Sequence, residues 1–232
     1  MLITLDPRTL AVVAGFTLVL QTLVVLYVWL FLLRERAIGD LAIGAVLAAI
    51  AAFLGVSRPH LPPAVTHFAA SVILITAHTF GARAFGRFVG RPVPERMLIG
   101  LIIVAALTLA FFFFIAPRTE IRIAVYSLSI AVTSLIIATL LIDVPRGPLR
   151  ITHWPIGFAH LLHAVFALMR SFTILFEEER ADIFEPSLIQ VLWFLQSLVV
   201  ALLTFTGIVL MITQRFSLQL EERKAGLLRD GG

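Results

Sequence analysis

The chain contains no cysteine among its 232 residues. Disulfide bonds, thiolate metal ligands, cysteine nucleophiles and covalent heme attachment are therefore excluded. Charged residues make up 14% of the chain, against roughly 25% in an ordinary soluble domain. Lysine occurs once, as Lys224 near the C-terminus. A retinal Schiff base in the last apolar segment therefore has no lysine on which to form.

Carboxylates are also missing from the interior of the apolar segments, since Asp40 and Asp143 fall at segment ends. A proton-coupled carrier is expected to hold carboxylates at membrane depth. We find no internal repeat of the kind that transporters commonly show, so a small permease is kept only as an alternative function. The net charge of +4 comes from basic residues scattered between apolar segments. This distribution argues against nucleic-acid binding, which requires a continuous basic patch.

Apolar residues dominate what remains, at 60% of the chain with a mean hydropathy of +1.03. A membrane-spanning helix needs about 20 mainly apolar residues, and seven segments meet that length. The sequence therefore predicts an all-α, polytopic membrane protein built as a seven-transmembrane-helix bundle. The predicted spans are Thr9–Leu33, Ile38–Val56, Ala64–Ala84, Met97–Ile115, Ile121–Ile142, Pro155–Phe176 and Leu188–Thr213.

The positions of Lys and Arg predict the orientation of the bundle, because cytoplasmic loops carry an excess of both. Twelve fall on the side of the C-terminus and five on the side of the N-terminus. We therefore expect the N-terminus outside and the C-terminus in the cytoplasm. The first span lacks the charged start and cleavage site of a signal peptide, so it is predicted to be retained as a helix.

The sixth span carries three ionisable side chains at membrane depth: His160, His163 and Arg170. Exposing a charge to lipid costs roughly 3 kcal/mol or more, so other helices must surround this one. The helical rise of about 1.5 Å per residue places His78 of the third span at a similar depth to His160 and His163. Two imidazoles from different helices can ligate heme iron or another metal. The alternative is that these histidines form hydrogen bonds between helices, while His153 and His60 fall in connectors and are expected to be solvated.

A second polar layer is predicted nearer the outside, around Arg170. The same rise brings Arg122, His67 and Gln196 to a similar depth, with Trp193 close by. An arginine offers several hydrogen-bond donors and stays charged. We therefore predict that this layer binds a small amphiphilic ligand with an anionic or carbonyl group. The alternative is that Arg170 snorkels toward the membrane surface or pairs with Glu177 or Glu178.

The residues after the last span form a charged tail, so the chain divides into a membrane domain, 1–213, and a juxtamembrane segment, 214–232. Phe216, Leu220 and Leu227 are spaced by four and seven residues, as in the apolar seam of a short coiled coil. This spacing predicts a signalling helix. A charged helix lying along anionic headgroups is the alternative interpretation.

Several segments together resemble a known family. They are LDPRTLAVV, LPPAVTHFAASVILITAHTFGARAFGRFVGRP, APRTEIRIAVYSLSIAV, FALMRSFTILF and LTFTGIVLMITQRFSLQLEE. In this order they resemble the N-terminal membrane region found upstream of bacterial GGDEF diguanylate cyclases, and sometimes of histidine kinases. The sequence departs from the family pattern at Ala64 and Ser71, where the family often has Trp and Asn.

The resemblance implies a sensory input module in the bacterial inner membrane whose last helix continues into a cytoplasmic output domain. We expect this module to form a homodimer. The 232 residues contain no GG[DE]EF motif, so we expect the chain itself not to be an enzyme. The output domain is then expected on a separate partner or beyond these residues. Two alternatives stay open: a heme-binding redox or electron-transfer protein that uses His78, His160 or His163, and the small permease.

Overall fold

The computed structural model describes residues 6–143, 150–176 and 188–230, with the backbone alone at 150, 151, 215 and 218–230. These residues form helices joined by short connectors, with no strand among them. Seven of the helices are long and apolar enough to cross a membrane. They are α1 Pro7–Leu32, α2 Arg36–Val56, α3 Ala64–Phe88, α4 Glu95–Ile115, α5 Thr119–Ile142, α6 Arg150–Thr173 and α7 Leu188–Asp230.

All seven predicted spans are confirmed as helices. The helix of the last span continues beyond the predicted end at Thr213 to Asp230, and the ends of the others shift by a few residues. Among those, the largest shift is at α6, which was predicted to begin at Pro155 but begins at Arg150. Pro155 therefore lies inside the helix, where its missing N–H leaves one carbonyl of the preceding turn without its helical partner. The prediction that His153 lies in a solvated connector is wrong, since this residue belongs to α6 and is buried. His60 is exposed as expected.

Asp6 shows how the first helix begins. Its carboxylate accepts hydrogen bonds from the backbone N–H groups of Arg8 and Thr9, and Pro7 occupies the first helical position. Both features are favourable at a helix N-terminus. A hydrogen bond from the Thr9 hydroxyl, with that from the Arg8 backbone, lowers the pKa of Asp6 below its ordinary value.

Six helices close into a ring in the order α1, α2, α3, α5, α6 and α7, with α7 returning to pack on α1. The fourth helix lies outside this ring and packs against α3 and α5. Helices α6 and α7 run antiparallel: Arg170 near the end of α6 meets Gln190 at the start of α7, whereas Thr152 at the start of α6 meets Gln214. The ring therefore encloses a space in which polar side chains avoid lipid.

Glycines allow the closest helix pairs in this ring. A Cβ atom built on Gly44 would lie 3.0 Å from the carbonyl oxygen of Ala77, so α2 and α3 touch through their backbones. A Cβ atom on Gly157 would lie 2.9 Å from Ile142 and 3.1 Å from Leu141, which brings α6 equally close to α5. Small residues have this role in membrane bundles because packing, and not burial from water, holds the helices together.

Most hydroxyl groups inside the spans are satisfied within their own helix. Each donates to a carbonyl oxygen three or four residues earlier, which meets its hydrogen-bonding requirement without water. Such bonds are formed by Thr17, Thr22, Ser71, Thr76, Thr79, Thr108, Ser129, Thr133, Thr173 and Thr213. Serine and threonine are therefore compatible with apolar spans, and few of them need a partner on another helix.

An ionic cluster joins α2, α3 and α4 at the end of the bundle opposite the N-terminus. Asp40 is buried in the second turn of α2, and its Oδ2 lies 2.5 Å from Nη1 of Arg87 and 3.8 Å from Nε of Arg83. Arg83 also lies 3.5 Å from Glu95 at the start of α4. The buried carboxylate therefore connects three helices.

We predict that Asp40→Asn lowers the free energy of unfolding by about 1–2 kcal/mol, because two half-buried guanidinium groups lose their charged acceptor. Denaturant titration in mixed micelles would measure this. Asp143→Asn is the matched control, since Asp143 is exposed and its partner among the described residues is the surface side chain of Arg91. Its cost should be about 0.5 kcal/mol or less. Equal losses in the two variants would contradict the prediction.

Candidate functional site

The ring encloses a cavity of about 230 Å³, which we call the N-side cavity. Side chains from all seven helices line it, and most come from the ends that share a side with the N-terminus of α1. The α1 and α2 walls are made mainly of small apolar residues. They are Ala11, Ala14, Gly15 and Leu18 of α1, and Ala51, Ala52, Gly55 and Val56 of α2.

The polar lining of the N-side cavity is cationic. Arg58, Arg122 and Arg170 all reach it, as does His67. The described lining residues include no aspartate or glutamate. Of the five residues predicted to bind a ligand, the cavity thus brings together four: Arg170, Arg122, His67 and Trp193.

Arg170 is buried in the wall of this cavity, with 2% of its surface exposed. It donates from Nε and Nη2 to Oε1 of Gln190, at 3.3 and 3.0 Å, and from Nη1 to the hydroxyl of Ser127, at 2.7 Å. Its guanidinium lies 4.5 Å from the centre of the Trp193 ring. Arg170 therefore does not snorkel to the surface; Glu177 and Glu178 lie outside the described residues.

Arg122 reaches the cavity from the first turn of α5. It donates to the carbonyl oxygen of Arg118 at 3.3 Å and to the hydroxyl of Thr119 at 2.7 Å, and its guanidinium covers the ring of Phe113. These partners are all neutral, and the described part of the chain places no carboxylate in ion-pair contact with Arg122. Among the described residues, Glu120 of the same helical turn is the carboxylate that acts on Arg122 electrostatically.

A column of stacked side chains leads from the cavity into the bundle. Below Arg170, the Trp193 ring is stacked on His163 with ring centres 5.3 Å apart. His163 is in turn stacked on His78 of α3, with centres 6.2 Å apart and planes 18° from parallel. Tyr126 of α5 meets Trp193 edge to face. The two polar layers predicted from the sequence are therefore connected, since Trp193 and His163 link them.

Gln196 does not line the N-side cavity, although it was predicted with the ligand layer. Its Oε1 lies 2.8 Å from Nδ1 of His163, which satisfies the histidine and turns the amide away from the cavity. Ser197, one residue later, lines the cavity instead. Gln196 was predicted to lie level with Arg170, whereas the structure pairs it with His163 of the histidine layer. One residue along a helix changes direction by about 100°, so a depth estimate cannot show which side chain faces the cavity.

A series of side-chain hydrogen bonds joins α6 to α7 along their length. The described rungs pair Arg170 with Gln190, His163 with Gln196, His160 with Thr204 at 3.2 Å, and Thr152 with Gln214 at 3.2 Å. We call this series the α6–α7 ladder. Between two of these hydrogen bonds, the side chain of Ile156 packs directly against Gly207. A Cβ atom built on Gly207 would lie only 2.3 Å from Cγ1 of Ile156. Shape and hydrogen bonding therefore fix the register of these two helices.

The three intramembrane histidines are packed among each other and their neighbours. His160 meets Phe85 edge to face as well as Thr204, while His163 and His78 present their ring faces to each other. An axial heme ligand directs a ring nitrogen at the metal, and a stacked pair directs ring faces instead. Heme ligation stays a prediction, which a Soret band in the purified protein and its loss in His78→Ala would support.

Sequence reasoning missed several residues of the site. Ser127 and Gln190 hold the guanidinium of Arg170, while Arg58, Ser197 and Tyr126 line the cavity. A signal for part of this set exists, because Gln190, Trp193 and Ser197 are spaced by three and four residues on α7. That spacing places polar and aromatic groups on one face of an otherwise apolar helix.

The predicted signalling residues lie on the last helix. Phe216 is exposed, and the side chains of Leu220 and Leu227 lie outside the described residues. Comparison with known proteins gives no match to this chain, whether by protein-family model, curated protein or solved structure.

Proposed function

We propose that the chain is a membrane-embedded sensory input module whose N-side cavity binds a small apolar or amphiphilic ligand. Binding changes the packing of α6 and α7, and α7 passes this change to a cytoplasmic output of the diguanylate cyclase or kinase type. For such a switch, the ligand must bind the two packings with different affinity. The resemblance to membrane regions upstream of diguanylate cyclases supports this class of function.

The observation that carries the proposal is the continuity of α7. One helix of 43 residues runs from Leu188 to Asp230, with its apolar part ending near Gln214. Its length is roughly 64 Å, more than twice the hydrocarbon thickness of about 30 Å. Trp193, near its beginning, forms part of the cavity wall. The same rigid element therefore touches the cavity and leaves the apolar region at its other end.

The proposal also includes the orientation of the chain in the membrane and its oligomeric state. The excess of Lys and Arg on the C-terminal side supports a cytoplasmic C-terminus and an outside N-terminus, in a bacterial inner membrane. Two copies pair through the projecting part of α7, where Phe216 is exposed. In this arrangement the N-side cavity opens toward the outer half of the bilayer, and the output domain lies in the cytoplasm.

A chimera tests the proposal. Residues 1–230 would be fused to a diguanylate cyclase catalytic domain, and cyclic di-GMP would be measured in cells. In Gly55→Leu, the new side chain fills part of the cavity in place of a ligand. Gly55 lines the cavity and has nothing within 4 Å of the position of a Cβ atom. We expect this variant to change product formation at least threefold. Gly100→Leu is the control, since Gly100 of α4 also has open space but does not line the cavity.

The linkage through α7 is tested in the same chimera by insertions after Ser217. Two added residues rotate the following helix by about 200°, whereas seven rotate it by about 700° and so nearly restore its phase. We expect the two-residue insertion to abolish the effect of Gly55→Leu and the seven-residue insertion to retain it. Product formation that is indifferent to both Gly55→Leu and the insertions would overturn the proposed function.

A further inference from the structure

The two kinds of wall in the N-side cavity face each other. In the ring order, α1 and α2 lie across from α5 and α6. The first pair contributes small apolar residues, and the second contributes Arg122 and Arg170. A third guanidinium, that of Arg58, reaches the cavity from the connector that follows α2. An occupant of this cavity therefore meets an apolar surface on one side and guanidinium groups on the other. This division fits a molecule that has one apolar part and one polar part.

The charge of the polar wall indicates the sign of the ligand. The described hydrogen-bond partners of Arg122 are neutral, although Glu120 of the same helical turn acts on it electrostatically. The described lining residues of the cavity include no carboxylate. A guanidinium at membrane depth is costly without a counter-charge, and its fork matches a carboxylate or phosphate. The hydroxyl oxygen of Ser197, which also lines the cavity, is buried and has no hydrogen-bond partner in the described part of the chain. An anionic group beside Arg122 would supply the missing counter-charge.

The volume indicates how large a ligand the partly open cavity can hold within it. An engineered cavity of about 150 Å³ holds one benzene molecule, which has six carbon atoms. At about 230 Å³, the N-side cavity has room for roughly nine or ten non-hydrogen atoms on the same scale. A phospholipid with two long chains far exceeds this volume. A carboxylate with a chain of about eight carbons has the matching size.

We infer that the N-side cavity binds a medium-chain monoanionic amphiphile, with its anionic group at Arg122 and its apolar chain against α1 and α2. This inference rests on the proposed function for the role of the cavity, and it adds the chemical class of the ligand. Arg170 supports the site from its place in the α5–α6 wall, where Gln190, Ser127 and Trp193 hold it in position.

Binding of three probes to the purified full chain tests the inference. Octanoate carries both features, octanol keeps the chain without the charge, and acetate keeps the charge without the chain. Native mass spectrometry counts adducts per chain, and the shift in thermal unfolding midpoint with concentration gives the affinity by linkage. We expect one octanoate per chain, with octanol and acetate each binding at least tenfold more weakly.

Two variants with matched controls locate the ligand. Arg122→Gln should weaken octanoate binding about 10-fold to 100-fold, which corresponds to loss of one charged hydrogen bond. Arg118→Gln is its control, because Arg118 is an exposed arginine directly before α5 that does not line the cavity. Gly55→Leu should weaken octanoate at least tenfold by occupying the apolar end. Gly100→Leu should leave binding unchanged.

The remaining outcomes separate failure of the inference from failure of the proposed function. Equal binding of octanol and octanoate would show that the cavity does not select an anion, and octanoate binding that survives Arg122→Gln would show that the anionic group does not lie at Arg122. The proposed sensor could then still be correct if Gly55→Leu alters the output of the chimera. Tight, charge-dependent octanoate binding with an unresponsive chimera would keep the ligand class and remove the sensor. No binding of any probe would overturn the inference itself.

Discussion

Replacement of Trp193 by alanine is expected to lower the free energy of unfolding by about 3 kcal/mol. This side chain is buried between Arg170 and His163 and also contacts Tyr126, so its removal leaves a cavity at the centre of the bundle. Truncation of a buried tryptophan costs about 3–5 kcal/mol in soluble proteins. The lower end applies here, because the lipid around an unfolded span is itself apolar and the loss is mainly one of packing.

Trp154→Ala is the matched control for this experiment. Trp154 also lies near the end of a helix, but about half of its surface is exposed, so its truncation should cost less than about 1 kcal/mol. Denaturant titration in mixed micelles would compare the two variants. Similar losses at both positions would mean that Trp193 is an ordinary interfacial tryptophan and that the stacked column contributes little to stability.

Arg170→Lys is expected to cost about 2–3 kcal/mol, although the substitution retains the positive charge. The guanidinium donates to Gln190 and Ser127 at once while its plane lies over Trp193, and an ammonium group cannot reproduce that geometry. Hydrogen bonds from charged groups are each worth about 1.5–3 kcal/mol, and part of the loss is recovered because lysine can bond one of the two partners.

Arg170→Met distinguishes the two contributions of Arg170. It removes the buried charge together with its desolvation penalty, while keeping an unbranched apolar chain against Trp193. We expect Met to be no worse than Lys in unfolding free energy but to lose octanoate binding, because the cationic wall is weakened. A lysine variant that matches the native protein in both measurements would show that charge alone, without the bidentate geometry, accounts for this position.

The fold was largely predictable because one physical quantity, the hydrophobicity of segments about 20 residues long, determines the number of membrane spans. Long apolar segments punctuated by Pro, Gly and charge give the number and approximate ends of the spans, and all seven are found. The start of α6 was misplaced because Pro155 is usually found in a first turn, whereas the backbone here continues five residues before it. The position of α4 outside the ring could not be predicted, since an apolar span fits a lipid-facing position and a buried one equally well.

The site was predictable in depth but not in direction. Arginine and histidine at membrane depth must face other helices, and this reasoning found Arg170, Arg122, His67 and the histidine layer. It could not assign partners, which depend on rotation about each helix axis: Gln196 turns to His163, and the two supposed layers are joined through Trp193. Gln190 and Ser127 were missed because neutral polar residues in a span normally bond their own backbone, as many others here do.

The α6–α7 ladder restricts how the last helix can move. A shift of α7 along its axis by one turn would break every described rung together and drive Gly207 off Ile156, so a piston stroke is the costliest motion available to it. A tilt that pivots on the central rungs strains only the outermost bonds. Because α7 extends well past its last rung, the distance from a pivot near Thr204 to Asp230 is roughly 40 Å, and a tilt of about 5° would swing the far end sideways by about 3 Å. The same hydrogen bonds that hold the helix in register would then act as a fulcrum.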